Sequence, residues 1–193
     1  MEKYKIFGSE MSPYSIKVRA YVRFKKIPHQ WINRSKKNRP EFNKLAKIPL
    51  IPLVLSPSGE VLQDSTPIIE VLEELFLSPS IVPDAPVLKF LSILLEEFGD
   101  EWVNKIMFHN RWWNEVDQAS AARILAMSSE PEEEANWGEI EAGIKTRMIG
   151  RREFVGSSEG TAGLIDEYRD SLIACLEKHF QNRSYLFGER PCL

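Results

Sequence analysis

Ile51-Pro-Leu-Val-Leu-Ser-Pro-Ser-Gly-Glu-Val-Leu-Gln-Asp-Ser-Thr-Pro67 is the stretch whose reading decides the fold. Residues 51–55 and 60–62 read as two short strands, and Ser56-Pro-Ser-Gly59 between them is a hairpin signal. Asp64-Ser-Thr-Pro67 then opens a helix, with apolar residues at 68, 69, 72, 75 and 76. Upstream, residues 4–7 read as a strand and Gly8-Ser-Glu-Met-Ser-Pro13 as the turn after it. Ser12 is a good helix N-cap and Pro13 suits the first helical position. Apolar residues at 14, 18, 21 and 22 continue that helix until Pro28 stops it. A second strand is expected at 29–33, followed over 34–47 by a basic loop with a short irregular helix. The order β-α-β, a linking segment, then β-β-α describes a small mixed-sheet α/β domain over residues 1–77.

Downstream, Ser78-Pro-Ser-Ile-Val-Pro-Asp-Ala-Pro86 carries three prolines and reads as a linker over 78–86. Beyond it the strand signal vanishes. Residues 87–98, 101–127, 137–150 and 161–181 favour helix, so residues 87–193 read as an all-helical domain. The last segment carries an amphipathic stripe at 164, 165, 168, 172, 176 and 180. Glu130-Pro-Glu-Glu-Glu134 reads as a solvated loop.

Composition excludes several classes. The chain has 193 residues, 43% apolar and 27% charged, as ordinary globular proteins do. No apolar run approaches the roughly 20 residues that span a bilayer, and the first residues pass directly into a strand pattern, so neither a membrane segment nor a signal peptide is expected. A formal charge of −3 argues against charge-driven nucleic-acid binding. Cys175 and Cys192 lie far apart and outside any CxxC, which excludes a disulfide framework and a four-thiolate zinc site and suits a reducing cytoplasm. His29, His109 and His179 lack ligand spacing, and no metal site is expected. Charge is partitioned: residues 17–47 hold eleven Lys/Arg and one acid, residues 59–101 ten acids and one base. Two solvated faces are the simpler account of this; a basic rim beside a pocket for a small zwitterion is the sharper one.

Three features of the first domain carry chemistry. Ser12-Pro-Tyr-Ser15 places a hydroxyl at a helix start, where unpaired N–H groups and about half a positive charge favour a thiolate. Ile51-Pro52 enters a strand. Were that peptide bond cis, the Ile51 backbone would turn outward and an extended peptide could add beside it as a strand; Pro49 is a competing candidate. Asp64-Ser65 offers an anion to an ammonium and a hydroxyl with helix-start N–H groups to a carboxylate, which suits an α-amino-acid head. Each feature alone is also explained by capping or by an ordinary trans proline.

Together these lines resemble the glutathione transferase superfamily. Ser12-Pro-Tyr-Ser-Ile-Lys-Val-Arg19 matches its serine-type members, Ile51-Pro52 its Val-cisPro, and Asp64-Ser65 its Glu-Ser, with the separation kept. The match covers residues 4–77 well. Over 87–193 it is one of class and order, with Tyr185-Leu-Phe-Gly-Glu-Arg-Pro191 as the recognisable late segment. The resemblance implies a thioredoxin-like domain with a mixed four-stranded sheet, then a helical bundle. It implies glutathione as co-substrate, with its γ-glutamyl head on Asp64 and Ser65, its cysteinyl backbone beside Ile51 and Pro52, and its thiolate on Ser12 as the catalytic hydroxyl. The glycyl carboxylate would fall to the basic rim of Lys36, Lys37, Arg39 and Lys44. A small hydrophobic electrophile, a homodimer and a detoxifying role complete what is implied.

Two departures stand out. Ala46-Lys-Ile-Pro-Leu50 replaces the usual Asn-Pro-x-Gly-Lys, and Arg190-Pro-Cys-Leu193 ends the sequence where the family continues into a buried helix. Both favour an alternative, a non-catalytic binding or scaffold module of the same fold. Serine at position 12 excludes mixed-disulfide chemistry there, so a thioredoxin-type redox protein is disfavoured. The aromatic residues Trp102, Phe108, Trp112 and Trp113, with His109, read as core rather than site.

Overall fold

The computed structural model describes residues 2–129 and 136–192; the run Glu130-Pro-Glu-Glu-Glu134 lies outside the described residues. Strand β1 (Tyr4–Gly8), helix α1 (Pro13–Phe24), strand β2 (His29–Asn33) and helix α2 (Arg39–Leu45) come first. Strands β3 (Leu53–Leu55) and β4 (Val61–Gln63) and helix α3 (Ser65–Leu75) follow. The sheet order is β2-β1-β3-β4. β1 and β2 are parallel, which requires the crossover that α1 supplies, and β3 runs antiparallel to both β1 and β4. This is the thioredoxin-like α/β arrangement expected from the sequence.

Strand alternation sorts the core onto two faces. Phe7 and Leu53 are cross-strand partners, fully buried with Phe42 of α2 beneath Ile32, Leu45 and Val61. Ile6 and Val54, one residue along each strand, point to the opposite face. There Val18, Val22, Ile68, Ile69 and Leu72 of α1 and α3 are also buried. A buried polar network ties these two helices. The Lys25 ammonium lies 2.6 Å from the Glu73 carboxylate and donates to the Phe76 carbonyl, while the Tyr21 hydroxyl donates to Glu73 at 2.8 Å. Burial, then the bond to Glu73, pushes the Tyr21 phenol above its ordinary range.

Among the described residues, most of the rest of the chain is helical, as expected. They are α4 (Pro86–Phe98), a π-helical stretch Gly99–Val103, α5 (Asn104–Trp113), α6 (Glu115–Ser128), α7 (Trp137–Ile149), a 3₁₀ turn Arg152–Val155 and α8 (Ala162–Phe180). The chain divides into two compact units: Met1–Pro79 with Arg123–Glu141, and Ser80–Ala122 with Ala142–Leu193. In the first unit, Lys36 N donates to Ser129 O and Asn33 Nδ2 to Ser128 O.

Two details depart from the periodicity. The helix expected over 101–127 breaks at Asn114, which is extended (φ −82°, ψ 144°). The Gln118 carboxamide takes the freed carbonyls of Trp112 and Trp113 at 2.9 and 3.0 Å, so the break leaves them satisfied. The α8 stripe is far less buried than its spacing predicts, with Leu164 66% and Tyr168 49% exposed. Among the described residues no helix is long and apolar enough to cross a membrane.

Candidate functional site

Strand register decides where the three chemical features meet. Phe7 pairs with Leu53, and Leu53 pairs with Gln63. The exit of β1, the entry of β3 and the exit of β4 therefore form one end of the sheet. Ser12 lies four residues beyond Gly8, Ile51-Pro52 directly precedes Leu53, and Asp64-Ser65 directly follows Gln63. Segments separated by up to about fifty residues in sequence thus arrive at a single edge.

Ser12 is the N-cap of α1 (φ −98°, ψ 114°), and its Oγ accepts from Ser15 N at 3.2 Å. A hydroxyl has one proton and two lone pairs. The cap uses a lone pair and leaves the proton to be donated elsewhere, so capping and thiolate binding are compatible. Arg19 pairs with Glu10 in the preceding turn and holds its carboxyl below the ordinary range. That anion is therefore balanced by a cation of α1 itself. Gly8 is required by close approach: a Cβ there would meet the Trp31 indole at 2.3 Å.

The Ile51–Pro52 peptide is cis, and Ile48–Pro49 is trans. Pro52 is buried and Ile51 half-buried, and both lie outside the ladder, which begins at Leu53. Asp64 caps α3 by accepting from Ser65 N at 2.6 Å, with its backbone at φ +76°. A left-handed φ at a non-glycine residue costs about 1–3 kcal/mol and collects at functional sites. The Asp64 side chain is exposed, while Ser65 Oγ is buried with no hydrogen-bond partner. An orphaned hydroxyl beside an exposed carboxylate fits a head group carrying both charge signs.

Of the basic candidates, Lys36, Lys37, Arg39 and Lys44 are all exposed, and the last two sit on α2. Sequence reading assigned no role to Gln63 or Arg34, yet both hold the loop before Ile51. Gln63 Nε2 donates to Ile48 O (2.6 Å) and Leu50 O (2.8 Å), while its Oε1 accepts from Lys47 N (3.1 Å) and Ile48 N (3.3 Å). Arg34 Nη1 donates to Pro49 O at 3.1 Å, with its guanidinium over the Phe42 ring. No local pattern marks such contacts, because they depend on register between strand and loop.

In the second unit, Trp112 is fully buried. Trp113 stacks on buried His109, whose Nδ1 lies 2.7 Å from Ser157 Oγ. Trp112 and His109 are core as the sequence reading has them, Trp113 is half-buried, and Trp102, read as core, is instead 62% exposed. Among the described residues no group of three or more His, Cys, Asp or Glu could hold a metal ion.

Residues 6–80 match the family described as glutathione S-transferase, N-terminal domain. Beta-etherase LigF from Sphingobium sp. strain SYK-6 superposes with a TM-score of 0.68 at 16% identity, covering 99% of this chain and 79% of its own. FzlA from C. crescentus gives 0.60 at 16% identity, covering 99% and 73%. The glutathione transferase CsGST83044 of Ceriporiopsis subvermispora, solved in complex with glutathione, gives 0.57 at 16% identity, covering 100% and 82%. At these identities the structures establish a shared fold. Residues 6–80 thus match a glutathione S-transferase N-terminal domain, and the chain shares its fold with these structures.

Proposed function

We propose that this protein binds glutathione at the β1–β3–β4 edge and activates its thiol for attack on a small hydrophobic electrophile. The observation that carries this reading is the Phe7–Leu53–Gln63 row, which gathers Ser12, Ile51-Pro52 and Asp64-Ser65 at one end of the sheet. Asp64 takes the α-ammonium of the γ-glutamyl residue. Ser65 Oγ, which is buried and unpaired, takes its carboxylate. The cysteinyl backbone lies along Ile51, adding a short strand at the edge of β3.

Ser12 then faces the sulfur. The thiol proton leaves to solvent, and the Ser12 O–H donates to the resulting thiolate at the positive end of α1. Lowering a thiol pKa from about 8.5 toward neutrality takes about 2–3 kcal/mol of preference for the anion, within reach of one charge-assisted hydrogen bond plus a helix start. The sulfur lone pair forms the new C–S bond, and the leaving group departs with the electron pair of the bond it breaks.

Calorimetric titration of the full chain with glutathione, followed by a conjugation assay with an aryl halide, tests the reading. Saturable binding with release of halide is expected. Binding without halide release assigns the chain to the non-catalytic class, and absence of binding overturns the site.

A further inference from the structure

We infer that Gln63 is a positioning residue for the tripeptide: its carboxamide aims the Ile51 backbone outward by holding the peptide plane before it. This rests on the glutathione reading and adds to it a residue outside the three recognised segments. A carboxamide has two N–H donors and two acceptor lone pairs. In Gln63 all four are used, and all on one loop, Lys47–Leu50. The loop is the segment where the sequence departs from the family pattern, so its conformation has to be imposed by some other residue.

The decisive bond is the one to Leu50 O at 2.8 Å. The Leu50–Ile51 peptide is trans and planar, and in such a unit the C=O and N–H point in opposite directions. Anchoring the Leu50 carbonyl on Gln63 therefore directs the Ile51 N–H away from Gln63. That N–H is outside the β3 ladder, which starts at Leu53, and is available to donate to the carbonyl of an added strand. Gln63 is itself held in place, since its backbone is the β4 partner of Leu53. Arg34 Nη1 also donates to Pro49 O, a second tie on the same loop.

Gln63→Leu removes all four bonds, and Gln63→Glu keeps the acceptor oxygens while losing both donors. Glutathione affinity is measured for wild type and both variants, alongside a glutathione analogue whose cysteinyl carbonyl is a thioamide, a weaker hydrogen-bond acceptor. Amide hydrogen exchange of Leu50 and Ile51 is followed without ligand. We expect each variant to bind glutathione about tenfold more weakly, to show faster exchange at Ile51, and to lose most of the wild-type discrimination between the tripeptide and its thioamide analogue. A purely structural role would weaken both ligands equally. Unchanged affinity in a folded variant, or undiminished discrimination, overturns the inference. Failure of the wild type to bind overturns the glutathione reading instead. If Gln63→Leu does not fold, Gln63→Glu carries the same comparison.

Discussion

Replacing Ser12 by alanine removes two interactions of different kinds, and their sizes can be separated. As an N-cap, Ser12 accepts one backbone N–H bond at 3.2 Å. Losing such a cap costs about 1 kcal/mol, which for a chain of this size lowers Tm by about 2–4 °C. As a donor to a bound thiolate, the same hydroxyl supplies a hydrogen bond to a charged group, worth about 1.5–3 kcal/mol. At about 1.4 kcal/mol per unit, the bound thiol pKa rises by about 1–2 units. Thiolate absorbance in a pH titration of the glutathione complex reads the second effect, and a thermal melt without ligand reads the first. Ser12→Asp separates them further. Aspartate is as good a cap as serine, so the melt should stay near wild type. It has no proton to donate and sets a carboxylate against the sulfur, so the thiol pKa should rise at least as far as in Ser12→Ala. A lower Tm in Ser12→Ala with an unchanged bound-thiol pKa would refute the role of the hydroxyl and leave it as a cap alone.

Three further outcomes are expected. Asp64→Gly relieves a φ of +76° and loses the cap at a cost of only a few tenths of a kcal/mol. It should raise stability to denaturant by about 1 kcal/mol while weakening glutathione binding in calorimetry; a fall in stability would show the backbone there to be unstrained. Lys25→Met leaves half-buried Glu73 without its cation and should cost about 3 kcal/mol in urea unfolding, with part recovered on adding Glu73→Gln. His109 is held below its ordinary pKa of 6.5 by burial, against the opposing pull of Asp166 and with the repulsion of Arg169 and Arg152. The unfolded chain therefore takes the proton first, so this contribution is complete above about pH 6.5 and is lost as pH falls through the lower folded value. His109→Asn should flatten the stability profile on the acid side of neutrality, and an unaltered slope would show that other groups set it.

Several pieces of the site were legible because they are local. Ser12-Pro13 and Asp64-Ser65 announce helix starts by residue type alone, since a cap needs only a short side-chain acceptor three residues before a free N–H. The hairpin at Ser56–Gly59 is equally local, with Gly59 at φ +89° in the turn. The helix break at Asn114 was hidden for the opposite reason. Asn and the surrounding polar residues do not interrupt helical periodicity, and the carboxamide of Gln118 compensates the break from within the next helix. The exposed α8 stripe shows the same limit: spacing marks which residues share a face, and packing alone decides whether that face is covered.

Sequence by itself determined the order of strands and helices, the two capped helix starts, and the candidacy of Ser12, Ile51, Pro52, Asp64 and Ser65. The first two follow from backbone preferences and side-chain chemistry acting within a few residues, while the five residues come together as a set through the resemblance to the glutathione transferases. Only the tertiary structure decided that Phe7, Leu53 and Gln63 stand in one row, that Ser65 Oγ is buried without a partner, and that residues 123–141 cluster with the first unit. It also decided that Gln63 holds a loop 13 to 16 residues away in sequence. Such contacts depend on strand register, which aligns distant segments by a collective choice of hydrogen-bond partners and buried faces that no single segment carries.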